Sequence, residues 1–196
     1  MKQAFKYLAL GLIPIAWALP GTYLYMTVMV FGEAGIYLLP AFGALLLLCW
    51  HRIGRRAGQY DLPRKPVCAA LLVHIPMLVL IAGEAAAVKG VGLPGDGMLW
   101  SILATAVRMP FYALCMMPLG VGGVAGILMQ GFCTCALMAV AFWLGQIGAP
   151  FHARTLILPL VASLLWGFGL EWIYWPILLL WLLWLGYDTY KWKKNN

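Results

Sequence analysis

The chain alternates long apolar runs with short polar breaks. The apolar runs cover residues 7–31, 36–50, 67–88, 98–118, 124–147 and 155–187. A helix of about 20 apolar residues matches the hydrocarbon core of a bilayer. The pattern therefore predicts an all-α polytopic integral membrane protein, a single transmembrane domain over residues 1–196 built as a bundle of about six transmembrane helices. Two runs strain that count. The second is short and starts within the turn Gly32-Glu33-Ala34-Gly35. The sixth would make a helix of about 50 Å against a hydrocarbon core of about 30 Å. It is interrupted by Gly167-Phe168-Gly169 and by Pro176, so it reads as one tilted span or as two short ones, which would make seven.

One break differs from the others. His51 to Pro66 is the longest polar stretch and carries Arg52, Arg55, Arg56, Arg64 and Lys65 against a single acid, Asp61. Leu62-Pro63 and Lys65-Pro66 oppose helix continuation, so 51–66 reads as a loop. Dense basic loops between apolar runs face the cytoplasm. Threading the six runs from that loop puts Lys2, Lys6, Arg52, Arg55, Arg56, Arg64, Lys65, Lys191, Lys193 and Lys194 on the cytoplasmic side, and Lys89 and Arg154 outside. This split predicts both termini in the cytoplasm of a cell-membrane protein. Lys2 and Lys6 followed by an apolar core and Ala16-Trp17-Ala18 resemble a signal peptide. The apolar run continues beyond Pro20, however, and reads better as a first span bent near Pro20-Gly21.

Composition agrees with the pattern: 64% of residues are hydrophobic and 10% charged, too apolar for a water-facing surface all round. The net charge of +7 is concentrated at the termini and in 51–66. This excludes a nucleic-acid interface and names the lipid bilayer as the partner. Small residues recur four apart at Gly122/Gly126, Gly131/Cys135/Ala139 and Ala82/Ala86, spacings that let helices pack closely within the bundle or dock a partner membrane protein or second copy. Five cysteines lie in or beside apolar runs and supply no disulfide framework. Cys133 and Cys135 point about 200° apart on a helix and cannot chelate one metal. No metal and no cofactor is expected.

The remaining chemistry lies in polar side chains within the runs: His74, Glu84, Arg108, Gln130, Gln146 and Glu171. An ionisable group inside a membrane is costly and points to function unless it is paired. Depths counted along the helices place His74, Arg108, Gln130 and Glu171 in one polar layer, with Glu84 nearer the outer face. Ligand binding is assigned to His74, Arg108, Gln130, Glu171 and Glu84, with Glu171 the expected partner of Arg108 because its estimated depth is closer. The competing reading is a buried ion pair that only fixes helix register. No metalloprotease, serine-hydrolase or phosphate-binding motif is present. Cys49 and Cys68 near His51 lack a third orienting group, so no catalytic residue is assigned and the expectation leans away from an enzyme. In size and span count the chain is similar to the substrate-binding membrane components of energy-coupling-factor vitamin transporters. That family's small-residue pair in the first helix is absent, because Ala9 is followed four residues on by Ile13. The expected function is a small transport-related carrier or membrane subunit with an internal polar layer. The alternative is a structural or accessory protein acting through helix–helix contact.

Overall fold

The computed structural model describes residues 2–17, 38–60, 66–91, 97–111, 123–151 and 171–195, with isolated positions 20, 23, 30, 157, 158, 161 and 165. Among them every element is helical: α1 (Lys2–Leu10), α2 (Leu38–Tyr60), α3 (Pro66–Val88), α4 (Gly97–Arg108), a 3-10 turn (Met109–Phe111), α5 (Gly123–Gln146) and α6 (Glu171–Asn195). Helix α1 is interrupted by a turn at Gly11 and resumes to Trp17. The bend expected at Pro20-Gly21 lies outside the described residues.

The apolar runs at 67–88 and 124–147 are α3 and α5, the two described helices long and apolar enough to cross a membrane. Pro66 opens α3, where a missing N–H costs nothing and its fixed φ favours the first turn. Their outward faces are apolar as well: Leu71, Leu78, Val79 and Phe132 are exposed. Water would penalise such a surface, and lipid would not.

The stretch expected as a loop from 51 to 66 is helical through Tyr60. The breakers Pro63 and Pro66 act only downstream, and arginine is a good helix former. Within it, Gly54 and Gly58 sit four apart and face α5 at very close range. A Cβ on Gly54 would run into the Phe142 carbonyl, one on Gly58 into that of Gln146, and one on Gly145 into that of His51. Only hydrogen at these positions lets the two backbones touch. Because 54 meets 142 and 58 meets 146, α2 and α5 run parallel. His51 Nε2 closes the same end with a 2.9 Å bond to the Ala149 carbonyl, and its ring stacks on Phe151.

This pairing corrects the expected threading, which put 51–66 and 148–154 at opposite ends. They share one end. Helix α3 runs antiparallel to both, with His74 beside Trp50 and Phe142 and Ile81 packed over Gly131.

A second correction concerns 98–118. It is no continuous span: α4 stops at Arg108 and gives way to the 3-10 turn containing Pro110. Helix α4 begins at the far end of α3, where Gly97 faces Ala87 and the Trp100 indole covers Gly83. Helix α5 begins at that same end. Gly123 precedes Gly131 by about 12 Å of helix, and Val88 follows Ile81 by about 10 Å. The chain from Gly97 to Gly123 therefore starts and finishes on one side of the bundle.

Candidate functional site

The polar centre lies where α4 ends. Arg108 is 5% exposed, Glu84 3% and Gln130 1%, one from each of α4, α3 and α5. Arg108 Nη2 donates to both carboxylate oxygens of Glu84, at 2.5 Å to Oε2. Nη1 donates to Gln130 Oε1 at 2.5 Å. Nε reaches back to the Ala104 carbonyl at 3.3 Å, and Thr105 Oγ1 accepts from Nη2 at 3.3 Å while donating to Glu84 Oε1 at 3.2 Å. The guanidinium is thus engaged at all three nitrogens, as a buried cation requires.

The acid that the structure places against Arg108 is Glu84; the pairing expected with Glu171 falls on a side chain outside the described ones. Side chains on a helix lean toward its N-terminus, and the bond to Ala104, four residues earlier, shows Arg108 doing so. The cation therefore sits nearer the start of α4, and so nearer Glu84, than a count along the backbone implies. The side chain of Glu171 lies outside what the structure describes.

Among the described residues two buried groups find no hydrogen-bond partner here: Gln130 Nε2 and, one turn along α5, Thr134 Oγ1. Thr134 is fully buried. One turn further again, Met138 lines a narrow apolar cleft with Pro14, Trp17, Leu46, Ala106, Val107, Pro110 and Phe111. The turn that follows Arg108 forms part of the cleft wall. Its Pro110 carbonyl rests against Gly43 of α2 so closely that a Cβ there would collide with it.

His74 does not join this centre. It lies ten residues before Glu84 on α3, about 15 Å along the axis. Trp50 Nε1 donates to His74 Nε2 at 3.0 Å. Indole N–H can only donate, so Nε2 accepts and the proton of a neutral ring resides on Nδ1, facing the Ala70 carbonyl at 2.6 Å. Trp17 and Phe142 pack on Trp50 at centroid distances of 6.1 and 5.3 Å. Both ring nitrogens of His74 are occupied, in an aromatic cluster on the far side of the cleft. Of the five residues assigned to ligand binding, the structure joins Glu84, Arg108 and Gln130 and separates His74. Gln146 lies apart at the glycine seam, its amide atoms buried without hydrogen-bond partners among the described residues.

Thr105 and Thr134 belong to the centre and went unread, because threonine inside an apolar run carries no signal of its own. Their spacings from Arg108 (three residues) and Gln130 (four) were the available clue. Trp50 closes an apolar run, and nothing in its position along the chain marks it as a donor to His74.

No protein-family model matches the chain, and no curated protein or solved structure matches it either.

Proposed function

We propose that the protein is an integral membrane protein of transport type, a small carrier or membrane subunit, in which 97–122 is a re-entrant segment and the buried end of α4 is the working site. One observation carries this reading: Gly97 and Gly123 lie at the same end of the bundle, while Arg108 between them is buried against Glu84 and Gln130. Broken helices at membrane depth are tolerated where they are covered by protein or line a cavity, and in transporters such breaks build substrate sites. The unpartnered Gln130 amide and Thr134 hydroxyl give the site hydrogen-bonding capacity that its ion pair does not use. The accessory alternative is weaker, because Gly54, Gly58, Gly131 and Gly145 are consumed by packing inside the bundle.

With the basic end of α2 in the cytoplasm, α5 also ends there and brings Arg154 with it. Lys89 is then the single basic residue assigned to the outer side. Keeping both termini inside requires 155–187 to cross twice, so six full crossings accompany one re-entrant segment.

Single cysteines on a Cys-free background, at Gln59, Gly95, Val121 and His152, test this threading with a membrane-impermeant maleimide on intact cells. Labelling is expected at 95 and 121 and protection at 59 and 152. Protection at 121 together with labelling at 152 would restore a full span over 98–118 and remove the re-entrant site.

A further inference from the structure

We infer that the outer face of the C-terminal half of α2 is a binding site for the phosphodiester headgroup of an anionic phospholipid, held by Arg52, Arg55 and Arg56. The inference rests on the membrane reading above but not on transport. Three observations carry it. Because 51–60 is helix rather than loop, these residues have fixed relative positions. Arg52, Arg55, Arg56 and Gln59 follow one another at intervals of three, one and three, which places them on one stripe. All four side chains are exposed, on the flank of the helix turned away from Gly54 and Gly58, with Arg56 opposite the α5 seam and Arg55 at its edge.

The stripe also changes character along its length. Leu45, one heptad before Arg52 and on the same face, is 55% exposed. An apolar exposed position followed about 10 Å further on by three guanidinium groups matches a lipid that lays its chains on the first and its headgroup on the second. Guanidinium is suited to this, because its planar fork donates two hydrogen bonds to phosphate oxygens and its stem can lie along apolar surface. The charge is one-sided: among the described residues the structure places no carboxylate in contact with the three arginines, and the sequence supplies one acid nearby, Asp61, against Arg64 and Lys65.

The test uses the full chain in lipid nanodiscs, with spin-labelled phosphatidylglycerol and spin-labelled phosphatidylcholine compared by electron paramagnetic resonance. The wild-type chain is expected to restrict phosphatidylglycerol preferentially. In R52Q/R55Q/R56Q that preference should fall by roughly tenfold or more, given about fivefold per basic side chain near an anionic surface. The Arg→Lys triple variant should keep part of it, since it retains the charge and loses the fork. Should the Gln triple variant fail to insert, R55Q alone carries the test, with about a fivefold loss expected. Excess inorganic phosphate should leave the lipid signal unchanged; displacement of the lipid would show a free-phosphate site and overturn the assignment to lipid. Equal restriction of the two lipids by an inserted wild-type chain sinks the lipid site alone. A chain that does not enter the bilayer sinks the membrane reading with it.

Discussion

Two polar centres are buried in this bundle, and they are built on opposite plans. Around His74 each nitrogen has one partner: Trp50 donates, Ala70 accepts, and aromatic rings fill the remainder. Around Arg108 the charges are matched by Glu84, yet the Gln130 amide nitrogen and, a turn along α5, the Thr134 hydroxyl have no partner among the described residues. A closed network specifies packing and has nothing left to bind with. An open one retains hydrogen-bonding capacity at the price of desolvating it. The difference separates a structural histidine from a candidate site although both are equally buried, which is why burial alone could not sort them.

The sharpest way to break this comparison is to strand a charge. Glu84→Leu or Arg108→Leu should each destabilise the fold by about 3–5 kcal/mol, the cost of leaving one buried ion unpaired. The double substitution should recover much of that loss in thermal unfolding of detergent-solubilised protein. Simply additive losses would show that the two residues do not act as a pair. Recovery of folding without recovery of transport would assign the pair to the site. Next in size, Gln130→Leu removes the acceptor at Arg108 Nη1 and should cost about 1.5–3 kcal/mol, as for a hydrogen bond to a charged group.

At the closed centre, His74→Phe leaves the Trp50 N–H buried and unpaired, at about 1–3 kcal/mol. Trp50→Phe combined with His74→Phe should cost less than the two single changes added together, and a double-mutant cycle reads the coupling directly. The smallest effect is expected at Thr134→Val. With no partner among the described residues to lose, the hydroxyl can be deleted at close to zero cost, within about 1 kcal/mol. If the same substitution impairs transport, Thr134 belongs to the site. A large loss of stability instead would reveal a structural partner for its hydroxyl.

Much of the helical pattern was legible because apolar runs have a length scale set by the bilayer: α3 and α5 follow two of the runs closely. The placing of Gly97 and Gly123 at one end of the bundle was not. Residues 98–118 have the composition of a span, and hydropathy does not record on which side a segment ends. The seam was hidden for a related reason: Gly54 and Gly58 lie among arginines, where small-residue spacing reads as loop composition rather than as packing. The site was half legible. Polar type and rough depth selected Glu84, Arg108 and Gln130, whereas the backward lean of Arg108 decided which acid it meets, and that is a property of side-chain direction rather than of position along the chain.

The parallel seam between α2 and α5 also sets a timetable. Gly54 and Phe142 meet only after about 90 further residues have been made, several seconds at about 5–20 residues per second. Until then the glycine face of α2 stays uncovered, while α3 and the α4 segment are made ahead of its eventual neighbour. One of the tight backbone approaches among the described residues is therefore a late one. A ribosome stalled before Gln146 would leave the first helices made but unassembled, a state in which quality-control proteases could still reach them.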